Sequence, residues 1–190
     1  MQNLIEQSAL DHKKTIDLLI NNESENIKFL ALEMAKVLKN NGTLFWCGNG
    51  GSASDSQHIA AELVGRFKKN RRALRSIALN TDTSVITCIA NDYSYEEIFS
   101  RQIEALAREG DMLIGISTSG NSENVLKAIQ TSKALGVKTL AILGKDGGKA
   151  IEEADFNLNV PSDITARIQE CHIFIGHLLC ELIEKELGFA

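Results

Sequence analysis

Apolar residues fall in two rhythms along this chain. Over residues 4–20 and again over 24–38 they recur at helical spacing, with Leu4, Ala9, Ile16 and Leu19 on the first stretch and Ile27, Leu30, Met34, Val37 and Leu38 on the second, so the chain opens with two predicted helices. Short, solid apolar runs follow at 42–47, 75–79, 112–116, 139–143 and 156–160. The first, Gly42-Thr43-Leu44-Phe45-Trp46-Cys47, is rich in strand formers and fits a strand covered on both faces better than a helix. Helical stretches separate these runs: one after Gly51, one over 95–107 broken off by Gly110, and one over 122–135. Residues 84–90 read equally as short helix or strand. Pro161 divides the last run from a long final helix, capped by Ser162 or Asp163 and covered by Ile164, Ile168, Cys171, Ile175 and Leu179. This alternation predicts an α/β fold, a doubly wound and mostly parallel five-stranded sheet flanked by helices.

The 190 residues, 44% of them hydrophobic, suffice for one substantial core. With no linker, repeat or composition shift, 1–190 reads as one domain that includes a helical extension over 1–40. The net charge of -5 is spread through interspersed charges of both signs. The basic run Arg66-Phe67-Lys68-Lys69-Asn70-Arg71-Arg72 is the exception. No aromatic platform or reader motif accompanies it, so a solvated loop or a patch that attracts a phosphorylated substrate fits it better than nucleic acid. Cys47, Cys88, Cys171 and Cys180 stand at unrelated spacings in mostly apolar surroundings and read as reduced core residues. The N-terminus has no secretory pattern, and no segment approaches the ~20 apolar residues of a membrane span, so a cytoplasmic protein is expected.

Two turns bring in chemistry. Gly48-Asn49-Gly50-Gly51-Ser52 leads from the first strand into a helix, where the glycines leave the main chain bare and the unpaired first-turn amides face an incoming anion. Ser52 and Ser54 are plausible caps there. After the third strand, Ser117-Thr118-Ser119-Gly120-Asn121-Ser122 gathers hydroxyls at another helix start. Either turn alone is an ordinary strand-to-helix connection. Together, with no lysine at hand, they suit a phosphate monoester held by neutral donors. The turn 144–149 reads as structural.

His58 and Glu62 lie four residues apart on the first of these helices, a spacing that serves either a surface interaction or a shared ligand. Gln169 and His177, eight residues apart on the final helix, project into similar sectors about two turns apart. Brought face to face, the four residues offer two imidazoles, a carboxylate and an amide oxygen to a divalent metal such as zinc. His172 points to a different side from His177, and either a function or a helix contact suits it. His12 reads as a surface or interface residue.

The run from Gly48 to Arg66, the hydroxyl turn 117–122, and Arg167-Ile168-Gln169-Glu170-Cys171-His172 followed by His177 together resemble the bacterial phosphoheptose (sedoheptulose-7-phosphate) isomerases of the sugar-isomerase (SIS) domain family. The resemblance spans essentially the whole chain. It implies a SIS-type fold and conversion of sedoheptulose 7-phosphate to D-glycero-D-manno-heptose 7-phosphate for surface-glycan heptose. It also implies a homotetramer with active sites at subunit interfaces, and Zn2+. The matching positions make Glu62 the general base and His177 its acid/base partner, with His58, Glu62, Gln169 and His177 as the metal set. They make Asn49, Gly50, Gly51, Ser52, Arg66, Asn91, Asp92, Ser117, Thr118, Ser119, Ser122 and Gln169 the substrate and phosphate contacts. Ala166 stands where some relatives carry an acidic residue. A non-catalytic phosphosugar-binding protein that assists a replication initiator, and an isomerase of six-carbon phosphosugars, are the other readings.

Overall fold

The five apolar runs form strands β1 (Leu44–Gly48), β2 (Ser76–Ala78), β3 (Met112–Ser117), β4 (Lys138–Gly144) and β5 (Phe156–Val160). In the computed structural model, which describes residues 1–189, all four strand pairings are parallel and the order is β2-β1-β3-β4-β5. Among the described residues seven helices surround the sheet: α1 (Gln2–Lys39), α2 (Gly51–Val64), α3 (Thr83–Asp92), α4 (Ser100–Leu106), α5 (Glu123–Ala134), α6 (Ala150–Glu153) and α7 (Thr165–Glu186).

Each central strand sends alternate side chains to opposite faces, and each face has its own core. Leu44, Trp46, Ile114, Leu140, Ile142 and Leu158 pack with Met34, Leu63, Ile168 and Ile175, so α1, α2 and α7 cover one side. Phe45, Cys47, Leu113 and Leu143 pack with Ile89 of α3, Phe99 just before α4, Ile103 of α4 and Ile129 of α5 on the other. Burial on both faces explains why these strands read as solid apolar runs.

The order reverses between β1 and β3: the chain winds outward from β1 to β2 on one side and from β3 to β5 on the other. At such a switch point the loops leaving two neighbouring strands diverge and open a crevice at their carboxyl ends. The loops are 48–51 after β1 and 117–122 after β3, the two turns that carry the candidate chemistry.

Several expectations need correction. The two predicted N-terminal helices are one continuous helix, α1, of 38 residues, about 57 Å long at 1.5 Å per residue. Ser24, where the second helix was expected to begin, donates its hydroxyl to the carbonyl of Ile20 within α1, and Asn26 donates to the carbonyl of Asn157 on β5 at 2.9 Å. Packing of α1 on α7 and β5 overrides the local breakers. The 95–107 helix is interrupted: a 3-10 turn (Tyr95–Glu97) precedes α4. Residues 84–90 lie in α3. The first residue before α7 is Ile164, and neither Ser162 nor Asp163 caps it; the Ser162 hydroxyl accepts the Ile164 N–H at 3.2 Å, outside the helix. Likewise α2 starts at Gly51 behind Gly50, which has a φ of 56°, so Ser52 and Ser54 sit inside the helix and do not cap it.

Candidate active site

Ser117, the last residue of β3, organises the hydroxyl turn. Its Oγ accepts the N–H of Gly120 at 3.1 Å and lies 3.1 Å from the hydroxyl of Ser122, which stands at the start of α5. The Ser119 hydroxyl accepts the N–H of Asn121 at 3.2 Å, and Thr118 is half-buried beside it. Gly120 has a φ of 64°, and a Cβ there would lie 1.8 Å from the carbonyl oxygen of Gly147, so only glycine fits. The 144–149 turn therefore backs the hydroxyl turn, the structural part read for it.

Across the crevice, Asn49 and Asn124 form a reciprocal amide pair, each Nδ2 donating to the other's Oδ1 at 2.8 Å. The Tyr95 hydroxyl donates to the same Asn49 Oδ1 at 3.1 Å, and Asn80 donates to the Gly48 carbonyl at 2.8 Å. With its oxygen doubly occupied, Asn49 keeps one N–H to offer a ligand. Asn124, Tyr95 and Asn80 were not anticipated. Asn124 alone had a visible signal, at the end of the hydroxyl-rich segment.

Helices α2 and α7 run side by side on one face of the sheet. Gly176 lets them approach, because a Cβ at that position would lie 2.6 Å from Cδ1 of Ile59. The next residue, His177, thereby meets His58 with their Nε2 atoms 3.3 Å apart, and His58 Nε2 lies 3.1 Å from Glu62 Oε1. One ligand atom from each of the three falls within 4.8 Å of the others, a donor set of two imidazoles and a carboxylate that suits a divalent metal. His58 is exposed and the other two are half-exposed, so the cluster is open to solvent. Asp55, one turn before His58, is pushed upward in pKa by burial and drawn part of the way back by His58.

Gln169 stands apart from this trio. Its amide lies over Gly51, with Nε2 2.6 Å from where a Cβ would be, and Gly51 precedes His58 on α2 by seven residues, about 10 Å of helix rise. The structure thus brings together three of the four expected metal ligands and sets Gln169, with Gly50, Gly51 and the buried Ser52, at the crevice end of α2. Arg66 is exposed in the loop after α2. Asn91 and Asp92 end α3, exposed, with Asn91 Nδ2 donating to Asp92 Oδ1 at 2.7 Å.

His172, left open between function and packing, is a packing residue. It is 2% exposed and bonded through Nε2 at 2.9 Å to the carbonyl oxygen of Leu143 on β4. Burial pushes its pKa down to about 4, against the opposing pull of that carbonyl. His12 sits on the surface, with Nδ1 2.7 Å from Glu170 Oε2. The cysteine reading holds for Cys47, Cys171 and Cys180, whose thiols burial raises to about 12, 11 and 12. Cys88 departs from it, being exposed, with its thiol held upward by the hydrogen bond to Asp92.

The basic run also needs correction, because it is not a wholly solvated loop. Arg71 and Glu184 are 0% and 2% exposed and form a buried ion pair, with Nε 2.9 Å from Oε1. Burial works to raise the Glu184 pKa, but the amides of Lys68 and Phe67 and the Arg71 guanidinium outweigh it and hold the carboxyl below its ordinary value.

The SIS domain model matches residues 11–144. The phosphoheptose isomerase of a Nitratiruptor species is 53% identical over 95% of this chain and 97% of its own length. That of Helicobacter pylori is 52% identical over 99% and 98%. Among solved structures, phosphoheptose isomerase GmhA from Neisseria gonorrhoeae superposes with a TM-score of 0.92 at 40% identity, covering 97% of this chain and 98% of that one. A phosphoheptose isomerase from Francisella tularensis gives 0.94 at 35% identity, with 97% and 98% coverage. A family match over more than half of the chain, joined to relatives this similar along nearly their full length, means that the chain belongs to the SIS domain family, among its phosphoheptose isomerases.

Proposed function

We propose that this protein converts sedoheptulose 7-phosphate to D-glycero-D-manno-heptose 7-phosphate by proton transfer through an enediol, supplying heptose for lipopolysaccharide or a related surface glycan. The observation that carries the reading is the convergence within 4.8 Å of His177 from α7 with His58 and Glu62 from α2, the helix whose first turn opens at the switch-point crevice. The crevice takes the phosphate. Hydroxyls of Ser52, Ser117, Thr118, Ser119 and Ser122 and the first amides of α2 and α5 donate to its oxygens, while Gly50 and Gly51 leave room for it. Holding the far end of a flexible sugar there spends remote binding energy on orientation at the reacting carbons. The remaining N–H of Asn49 and the amide of Gln169 address the sugar hydroxyls.

Glu62 removes the proton from the carbon beside the carbonyl and returns it to the neighbouring carbon. His177 carries a proton between the two oxygens, a task suited to an imidazole near neutral pH. The donor set fits zinc: His58, Glu62 and His177 would hold it, and Gln169 would join them only by turning away from Gly51. Zinc bound there supplies polarisation of the carbonyl and stabilisation of developing negative charge on oxygen. A metal-bound carboxylate would be a weak base, so the base role of Glu62 requires a carboxylate oxygen free of any metal.

The working unit in this reading is a homotetramer of single SIS domains, each spanning 1–190 with the helical extension over 1–40, and it is cytoplasmic. Arg66, Asn91 and Asp92 complete the pocket at subunit interfaces. Among the described residues no helix is long and apolar enough to cross a membrane. NMR of purified protein with sedoheptulose 7-phosphate is the direct test. Signals of a heptose aldose 7-phosphate are expected, to be lost on chelation and recovered with zinc. An intact, zinc-loaded oligomer that leaves the ketose unchanged would overturn the reading in favour of a binding role.

A further inference from the structure

A buried carboxylate anchors the loop that leaves α2. Glu184 lies on α7 about two turns beyond His177, on the same face. It accepts the main-chain N–H groups of Phe67 and Lys68 at 3.1 Å each and of Lys69 at 3.3 Å, as well as Nε–H of Arg71 at 2.9 Å. The same guanidinium reaches back to the end of α2, donating from Nη2 to the carbonyl oxygen of Glu62 at 2.9 Å and from Nη1 to that of Leu63 at 2.7 Å. The loop so held carries Phe67. Its ring stacks on His177, with centroids 5.5 Å apart and planes 20° apart.

One ion pair therefore bonds the main chain of one acid/base candidate and the main chain of Phe67, whose ring covers the other. Stability alone is a poor reason for it, since a buried ion pair often contributes no more than apolar residues of the same volume would. Geometry is a better one. A ring stacked on one imidazole face blocks rotation and water on that side yet leaves the edge nitrogens open, and His177 Nε2 faces His58 at 3.3 Å. We propose that the Arg71–Glu184 pair acts through Phe67 as a positioning device that holds the His177 imidazole in register with His58 and Glu62. The inference rests on the reading of His177 and Glu62 as the proton-transfer pair. Its residues are positioning residues, and none touches the reacting atoms.

The test uses full-length Phe67→Leu, Phe67→Tyr and Glu184→Gln proteins, each normalised to its folded fraction by near-ultraviolet circular dichroism. Three quantities are measured: the ring-current shift of the His177 protons by NMR in metal-free, substrate-free protein; zinc affinity by titration; and kcat and KM. For Phe67→Leu the upfield His177 shift disappears, zinc affinity falls by about 10-fold or more, and kcat falls comparably with KM held within about twofold. Phe67→Tyr, which keeps the stack, restores all three. Glu184→Gln reproduces the Phe67→Leu pattern. If Phe67→Leu keeps wild-type zinc affinity and kcat per folded molecule, Phe67 is merely packing and the proposal is overturned. Unchanged His177 shifts in Glu184→Gln overturn it as well. Should wild-type protein fail to turn over the ketose, the isomerase reading falls, while the shift and the zinc titration still decide whether the device exists.

Discussion

Glu62 and His177 differ in what their replacement removes. The Glu62 side chain offers a carboxylate oxygen to His58 at 3.1 Å, and glutamine preserves its shape while removing the ability to accept a proton. Glu62→Gln should lower kcat by roughly 10²- to 10⁴-fold, the usual contribution of a positioned general base. Binding of the phosphate, which the proposed reading puts about three turns away at the head of α2, should persist. His177→Ala takes away the proposed proton carrier together with one of the three clustered donors, so kcat and zinc affinity should fall together. Glu62 belongs to the same donor cluster, so zinc titration accompanies the steady-state kinetics of both variants and turnover is compared at saturating zinc. Near-wild-type turnover in either would remove that residue from the chemistry.

Helix pairing explains what the sequence disclosed and what it withheld. The strand and helix order was legible because burial on both sheet faces makes apolar runs, and the two turns were legible because glycines and hydroxyls cluster after strands. His58 with Glu62 was visible as a local spacing, whereas the meeting of His58 with His177 depends on contact between α2 and α7 and has no local signature. Phe67 and Arg71 were hidden inside a run that reads as surface charge, since nothing near them announces Glu184 far along the chain. The continuity of α1 across Asn21-Asn22-Glu23-Ser24 was hidden for the same reason, as its support comes from α7 and β5. The close approach of α2 and α7 hangs on Gly176 against Ile59. Gly176→Ala should separate His177 from His58, destabilise the fold by about 1–3 kcal/mol through overpacking, and cut turnover more than it cuts folded protein. Adding Ile59→Ala to the same chain makes room again and should restore most of the turnover. Two variants whose effects simply add would show that this contact does not set the site geometry.

At the scale of the molecule, α7 is both a wall of the core and the carrier of His177, so whatever unseats α7 in acid ends folding and function together. His172 fastens α7 to the end of β4 through the Leu143 carbonyl, as a neutral imidazole. A histidine in the unfolded chain titrates near 6.5, whereas burial holds His172 down to about 4 in the fold. Between those values the unfolded chain binds a proton that the folded chain refuses, and falling pH favours unfolding. The stability that rests on neutral His172 is therefore complete above about pH 6.5 and drains away as pH falls toward about 4, on the order of 3 kcal/mol for a gap of that size. The depressed Glu184 carboxyl has the same sign but a lower window: its share persists through this range and is lost only as pH drops below the ordinary glutamate value of about 4.3. Urea unfolding at several pH values between 7 and 4.5 should show wild type losing stability steeply. His172→Gln, which keeps a donor for Leu143 but cannot titrate, should lose less by on the order of 3 kcal/mol. Equal losses in the two proteins would acquit His172 and leave the acid sensitivity to the carboxylates.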